Sequence, residues 1–153
     1  DSLLDYFNEN EIKNSIDESA RDKIYLVKTF ENKNFDLYEA MQLVYKKSDK
    51  KKIIVGLGGA IDFPNNIKKC RIKMNEIASE LSNLFPNANK IDWGKYDTPT
   101  KQGYYFPITF DFKNGTRAMV SCQDWNKKSG IIDNLKVALF SAKYNQYLQQ
   151  QNN

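Results

Sequence analysis

Tyr104–Trp125 reads YYFPITFDFKNGTRAMVSCQDW, and this stretch decides the fold. Tyr104, Phe106, Ile108, Phe110 and Phe112 alternate with smaller or polar residues, the period-2 signature of a strand with one buried face. Beyond Lys113-Asn114-Gly115-Thr116, the residues Ala118, Val120 and Cys122 alternate with Arg117, Met119, Ser121 and Gln123. Asn-Gly allows two hairpin closures. A two-residue loop would set Phe110 against Met119 and Ile108 against Ser121, mixing the faces. A three-residue loop with Gly115 left-handed sets Phe110 against Ala118, Ile108 against Val120 and Phe106 against Cys122. A slip of one residue turns every side chain over, so the apolar match selects the second closure.

Working outward, Asn134–Phe140 (NLKVALF) reads as a further meander strand after a turn at 126–130. Ser141 can cap a short final helix with Tyr144, Tyr147 and Leu148 on one face, and 149–153 is expected to fray. Upstream, Ile67, Cys70, Met74, Ile77, Ala78, Leu81, Leu84 and Phe85 follow helical spacing, which predicts one long helix over about 66–85. Pro64-Asn65 marks its entry and Pro86 its stop. Lys90–Trp93 reads as a short strand, and Lys23–Phe30 (KIYLVKTF) as another, with turn chemistry at Asn32–Asn34. Asp36 with Glu39 resembles a capping box, and Leu37, Met41 and Val44 at helical spacing predict a helix ending near Lys47. Ile53–Leu57 is expected as a short strand closed by Gly58-Gly59. Residues 1–20 predict a weak helix broken near Asn8–Asn10. Strands and helices do not alternate regularly. The expected class is α+β: a mostly antiparallel sheet with helices packed on one face, in a single domain spanning 1–153.

At 153 residues, with 41% hydrophobic and 13% aromatic content, the chain can bury a packed core. No window approaches the run of about 18 apolar residues that a membrane span requires. Net charge is +4, carried by lysine, since the arginines are Arg21, Arg71 and Arg117 alone. That composition, with no arginine cluster, argues against nucleic-acid recognition. The KKSDKKK run at 46–52 reads as a solvated linker. Histidine is absent. This removes Ser-His and Cys-His nucleophile pairs, the common zinc sites, and the proton carrier best matched to neutral pH.

Gly56-Leu57-Gly58-Gly59 follows a strand, but Ile61 stands where a dinucleotide motif needs glycine and no Lys-Ser/Thr follows. A tight turn or a close backbone approach explains it better. Neither a metal nor a cofactor is expected, and no catalytic residue is singled out. Cys70 on the helix stripe and Cys122 on the apolar face of the hairpin both point into one helix-on-sheet interface, which predicts a disulfide. Such a bridge contributes roughly 2–4 kcal/mol. The alternative is two reduced thiols acting as small hydrophobes.

Asp92-Trp93 and Asp124-Trp125 both fall near strand ends, each two residues before a lysine. With Tyr96 close by, they are the candidate binding surface: tryptophan buries a large area and keeps one polar handle. Capping of the core is the competing role for both tryptophans. Asn114-Gly115-Thr116 also matches a glycosylation acceptor. The chain starts at Asp1 without Met, and with an even cysteine count this predicts a removed leader and a periplasmic or secreted, bacterial protein. Reduced cysteines would mean a cytoplasmic one. The function expected first is a non-enzymatic module of the inhibitor or immunity type, acting on another protein. A sugar or small-molecule ligand is a second use for the same surface. A histidine-free enzyme using carboxylate, lysine or tyrosine chemistry and a weakly basic nucleic-acid-binding domain are the rival classes.

Overall fold

The computed structural model describes residues 1–17, 24–31, 38–98 and 101–151. Within them, nine strands form one antiparallel sheet. In chain order these are β1 (Ile16–Asp17), β2 (Tyr25–Glu31), β3 (Ala40–Lys46), β4 (Ile54–Asp62), β5 (Asn89–Asp92), β6 (Tyr96–Asp97), β7 (Gly103–Asp111), β8 (Arg117–Trp125) and β9 (Asn134–Phe140). The strands lie in the order β1-β2-β3-β4-β9-β8-β7-β5, with β6 pairing further along the outer edge of β7. Two meanders therefore meet where β4 pairs with β9. The helices are α1 (Glu9–Asn14), α2 (Ile67–Leu84) and α3 (Ala142–Gln151). The α+β class, the antiparallel sheet and the long helix follow the sequence reading.

The hairpin register is the expected one. Phe110 pairs with Ala118, Ile108 with Val120 and Phe106 with Cys122. Phe112 N donates to Thr116 O at 3.0 Å, which leaves Lys113-Asn114-Gly115 as the loop, and Gly115 has φ +84°. These apolar residues, with Leu135 of β9, pack under Cys70, Met74 and Ala78 of α2. Cys70 and Cys122 are joined by a disulfide with Cα atoms 6.1 Å apart, and both are fully buried.

A second cluster covers the same face of the sheet at its other end. Leu3, Phe7 and Ile12 pack on Phe30, Leu43 and Tyr45. The N-terminal segment is not one helix but a 3-10 turn at Leu3–Asp5, capped by Ser2, followed by α1, capped by Asn8. The break falls where the asparagines predict it, because the Asn8 side chain accepts from the N–H groups of Asn10 and Glu11. Ile16, expected in the same helix, is in β1 instead.

The helix predicted over 36–47 is a correction. Ala40–Lys46 is a strand between β2 and β4. Met41, Leu43 and Tyr45 face the N-terminal cluster, and Val44 packs under α3 on the opposite side, which it shares with Gln42 and Lys46. Met41 and Val44 satisfy helical spacing only because a short apolar run fits both periods. Asp36 and Leu37 lie outside the described residues, as does the turn at 32–34. Glu39 caps no helix; its carboxylate accepts from Asp62 N at 3.2 Å.

The glycines at 56, 58 and 59 are likewise no turn, since β4 runs through them to Asp62. They permit close approach instead. A Cβ on Gly59 would lie 2.6 Å from the Tyr38 ring.

The parity of the strands sends α3 to the other side of the sheet. Tyr144, Tyr147 and Leu148 pack on Tyr25, Val27, Val44 and Phe140, which alternate with the residues under α1 and α2. One-face packing thus holds for α1 and α2, and α3 covers only one corner of the reverse face.

Candidate functional site

On that reverse face, beyond α3, the sheet presents Tyr105, Pro107 and Thr109 of β7, Met119, Ser121, Gln123 and Trp125 of β8, and Lys136 and Ala138 of β9. Each alternates with a residue buried under α2, so the period of 2 fixes their common side. Among the described residues no helix packs across this part of the face, yet Pro107, Thr109, Ser121 and Ala138 are buried, so its open surface lies at the edge.

Three aromatic rings form a run along its outer edge. Trp93 follows β5 and donates its backbone N–H to Pro107 O at 3.1 Å. Its indole Nε1 donates to Thr109 Oγ1 at 2.9 Å, which lays the ring against the face. Tyr96 on β6 pairs with Tyr105 on β7. The Trp93 and Tyr96 centroids are 6.5 Å apart, edge to face, and those of Tyr96 and Tyr105 are 5.7 Å apart. Trp93 and Tyr96 each remain 42% exposed, so the run is a surface feature as well as a cap. Trp125 lies at the end of β8 opposite Gly103, half-buried, with its Nε1 buried and without a hydrogen-bond partner among the described residues.

The structure separates the carboxylates from the tryptophans they precede. Asp92 pairs with Ile108 and Asp124 with Tyr104, so both belong to the α2 side of the sheet. Adjacent strand residues cannot share a face, and the aromatic-plus-carboxylate surface expected from the two Asp-Trp pairs divides into two. Asp92 is occupied in a local turn, its Oδ1 accepting from Gly94 N at 2.9 Å. Burial pushes the Asp124 carboxyl up from its ordinary value; the nearby Asp133 charge adds to this, and Lys95 opposes it. Asp133 itself accepts from Trp125 N at 2.8 Å. Asp62 is raised by burial and then by Glu39.

Of the residues singled out in the sequence, Trp93 and Tyr96 come together, Trp125 joins their face, and Asp92 and Asp124 do not. Thr109, Gln123 and Lys136 were missed. The alternation that placed Phe110, Cys122 and Leu135 in the core was the available signal for them. Among the described residues, no group of three or more His, Cys, Asp or Glu side chains converges as metal ligands would. Among the described residues, one open hollow lies between the hairpin turn and α3 and another beside α1, and neither touches the aromatic run. No helix of the described residues is long and apolar enough to cross a membrane.

An aromatic run with adjoining hydroxyl and amide groups suits recognition: it offers flat apolar area together with hydrogen-bonding atoms at fixed positions. No protein family, no curated protein and no solved structure matches this chain.

Proposed function

We propose that this chain is a non-enzymatic binding module, of the inhibitor or immunity type, that seats another protein on the aromatic run at the outer edge of its sheet. The observation that carries the reading is the run Trp93–Tyr96–Tyr105 at the outer edge of the sheet, where Trp93 and Tyr96 are each 42% exposed. Aromatic anchors held at low conformational cost are what protein interfaces concentrate their binding energy in. The rings here are held by strand pairing and by the indole bond to Thr109. The scaffold behind them is cross-linked by Cys70–Cys122, so the face is presented without a folding cost on binding. The same bridge supports an oxidising compartment, and we place the protein in the periplasm or outside the cell.

Site-specific photo-cross-linking tests this. A benzophenone side chain at Tyr96, in protein expressed by its own cells, is expected to give a discrete protein adduct. The same group at the exposed Ser79 of α2 is expected to give none, and Trp93→Ala should abolish the Tyr96 adduct. Adducts from Ser79 and none from Tyr96 would move the interface to the helix side. Two free thiols in protein taken from its native compartment would remove the export assignment.

A further inference from the structure

The loop joining β8 to β9 has a construction that the aromatic face does not explain. Asn126 caps a 3-10 turn over Lys127–Ser129, Gly130 follows with φ +71°, and Ile131 and Ile132 come next. Those isoleucines are 47% and 48% exposed. Single exposed apolar residues are ordinary on protein surfaces, but two consecutive ones at a loop tip beside two lysines are not. The loop is fixed at its roots. Asn126 N donates to Gln102 O at 2.7 Å, and Phe63 N donates to Asp133 O at 2.7 Å. The tip between these anchors keeps both isoleucines about half exposed.

Its surroundings are basic. The Phe63 contact brings the entry to α2 alongside, where Lys68 and Lys69 are exposed and Ile72 is 61% exposed. Lys101 is the neighbour of Gln102 on the other flank. Lys68, Lys69, Lys101, Lys127 and Lys128 form no ion pair among the described residues. Two lysines in the first turn of α2, with no acid there, oppose the helix dipole, so this placement is unfavourable for the helix alone. The acidic groups at this end are Glu39, whose carboxylate is bonded to Asp62 N, with Asp62, Asp97, Asp124 and Asp133. Asp133 is buried and bonded to Trp125 N, and Asp124 is beside Lys95, whose ammonium lies 3.4 Å from the Tyr104 ring centroid.

We propose that this end of the molecule docks peripherally on an anionic lipid surface, with Ile131 and Ile132 entering the headgroup region and the lysines bound to lipid phosphates. A loop tip with exposed apolar side chains next to Lys127 and Lys128, which form no ion pair among the described residues, matches a soft, charged surface. A protein partner would need a rigid hollow shaped to receive it. Apolar insertion alone gives marginal membrane affinity, and adding a basic cluster makes it stable.

Sedimentation with vesicles tests this, comparing phosphatidylcholine alone with phosphatidylcholine mixed with phosphatidylglycerol. The full chain is expected to bind only the mixed vesicles, less so as salt rises. Lys127→Gln with Lys128→Gln should weaken binding about thirtyfold. Ile131→Ser with Ile132→Ser should weaken it at least about tenfold. Leu84→Ser, at the far end of α2 and 69% exposed, should change nothing. All of these positions are on the surface, and an unchanged melting temperature confirms that the variants fold. Absence of binding to the mixed vesicles, equal binding to both kinds, or loop variants that bind like the parent chain would each overturn the proposal. Self-association that is lost with the isoleucines, without vesicle binding, would overturn it in favour of a second copy.

Discussion

Cys122 sits opposite Phe106 in the β7–β8 ladder and is bonded through sulfur to Cys70 of α2. One residue thus joins strand pairing to helix packing, and it lies directly behind the face that carries Tyr105 and Gln123. The bridge spans 52 residues of sequence, including β5, β6 and β7. Cutting it removes the covalent tie between the first turn of α2 and the sheet and leaves their packing alone to hold them.

Reduction should therefore lower stability measurably. A cross-link of this span contributes roughly 2–4 kcal/mol. For a chain of this size that corresponds to a fall in melting temperature of about 4–16 °C. Circular dichroism melts with and without reductant check it, and superimposable curves would show that packing alone holds α2 in place.

Gly115 has φ +84°, and a Cβ built on it would lie 3.1 Å from Ala142 Cβ at the start of α3. Valine there must adopt a left-handed backbone and also displace the helix. Gly115→Val is expected to cost about 1–3 kcal/mol. Denaturant midpoints measure it; a loss no larger than that of Lys113→Val, at a neighbouring turn position, would contradict the strain argument.

The register of this hairpin was legible because one of its two closures buries Phe110, Ile108 and Phe106 together and the other does not. The disulfide followed from it, since Cys70 and Cys122 were each placed on a face before being paired. The second strand of the first meander was not legible. Met41, Leu43 and Tyr45 of Ala40–Lys46 do alternate, but Met41 and Val44 also meet helical spacing with Leu37, and a run of seven residues is too short for either period to decide. The candidate site was half legible. Trp93, Tyr96 and Trp125 stand out by type, but grouping them with Asp92 and Asp124 treated sequence neighbours as surface neighbours. Strand alternation forbids that.

Asp124 gives a pH dependence with a defined sign. Its carboxyl is raised in the fold, by burial first and by Asp133 second, so the folded state binds more protons than the unfolded chain. Stability from this group is present in full below the ordinary value of 3.8 and is lost as pH rises through the elevated folded value. Asp124→Asn removes the penalty. The variant should be more stable than the parent at pH 7, and the difference should close as pH falls below the ordinary aspartate value. Denaturation at a series of pH values tests this, and a variant less stable than the parent at neutral pH would show that Asp124 is held mainly by Lys95.

The bond from Trp93 Nε1 to Thr109 Oγ1, at 2.9 Å, is what orients the indole on the reverse face. Thr109 is 3% exposed, so its hydroxyl depends on this partner instead of on bulk water. Trp93→Phe keeps most of the apolar area and deletes the donor. Leaving a buried hydroxyl unpaired costs about 1–3 kcal/mol. Thr109→Val removes the other partner, and the double variant should lose less than the sum of the single losses by about 0.5–1.5 kcal/mol, the worth of one intramolecular bond. Binding of the cross-linked partner supplies the second readout. Thr109→Val leaves the Trp93 ring intact but free to turn, so it should weaken binding although Thr109 itself is buried. Additive stabilities with unchanged binding would show that strand pairing alone positions the ring.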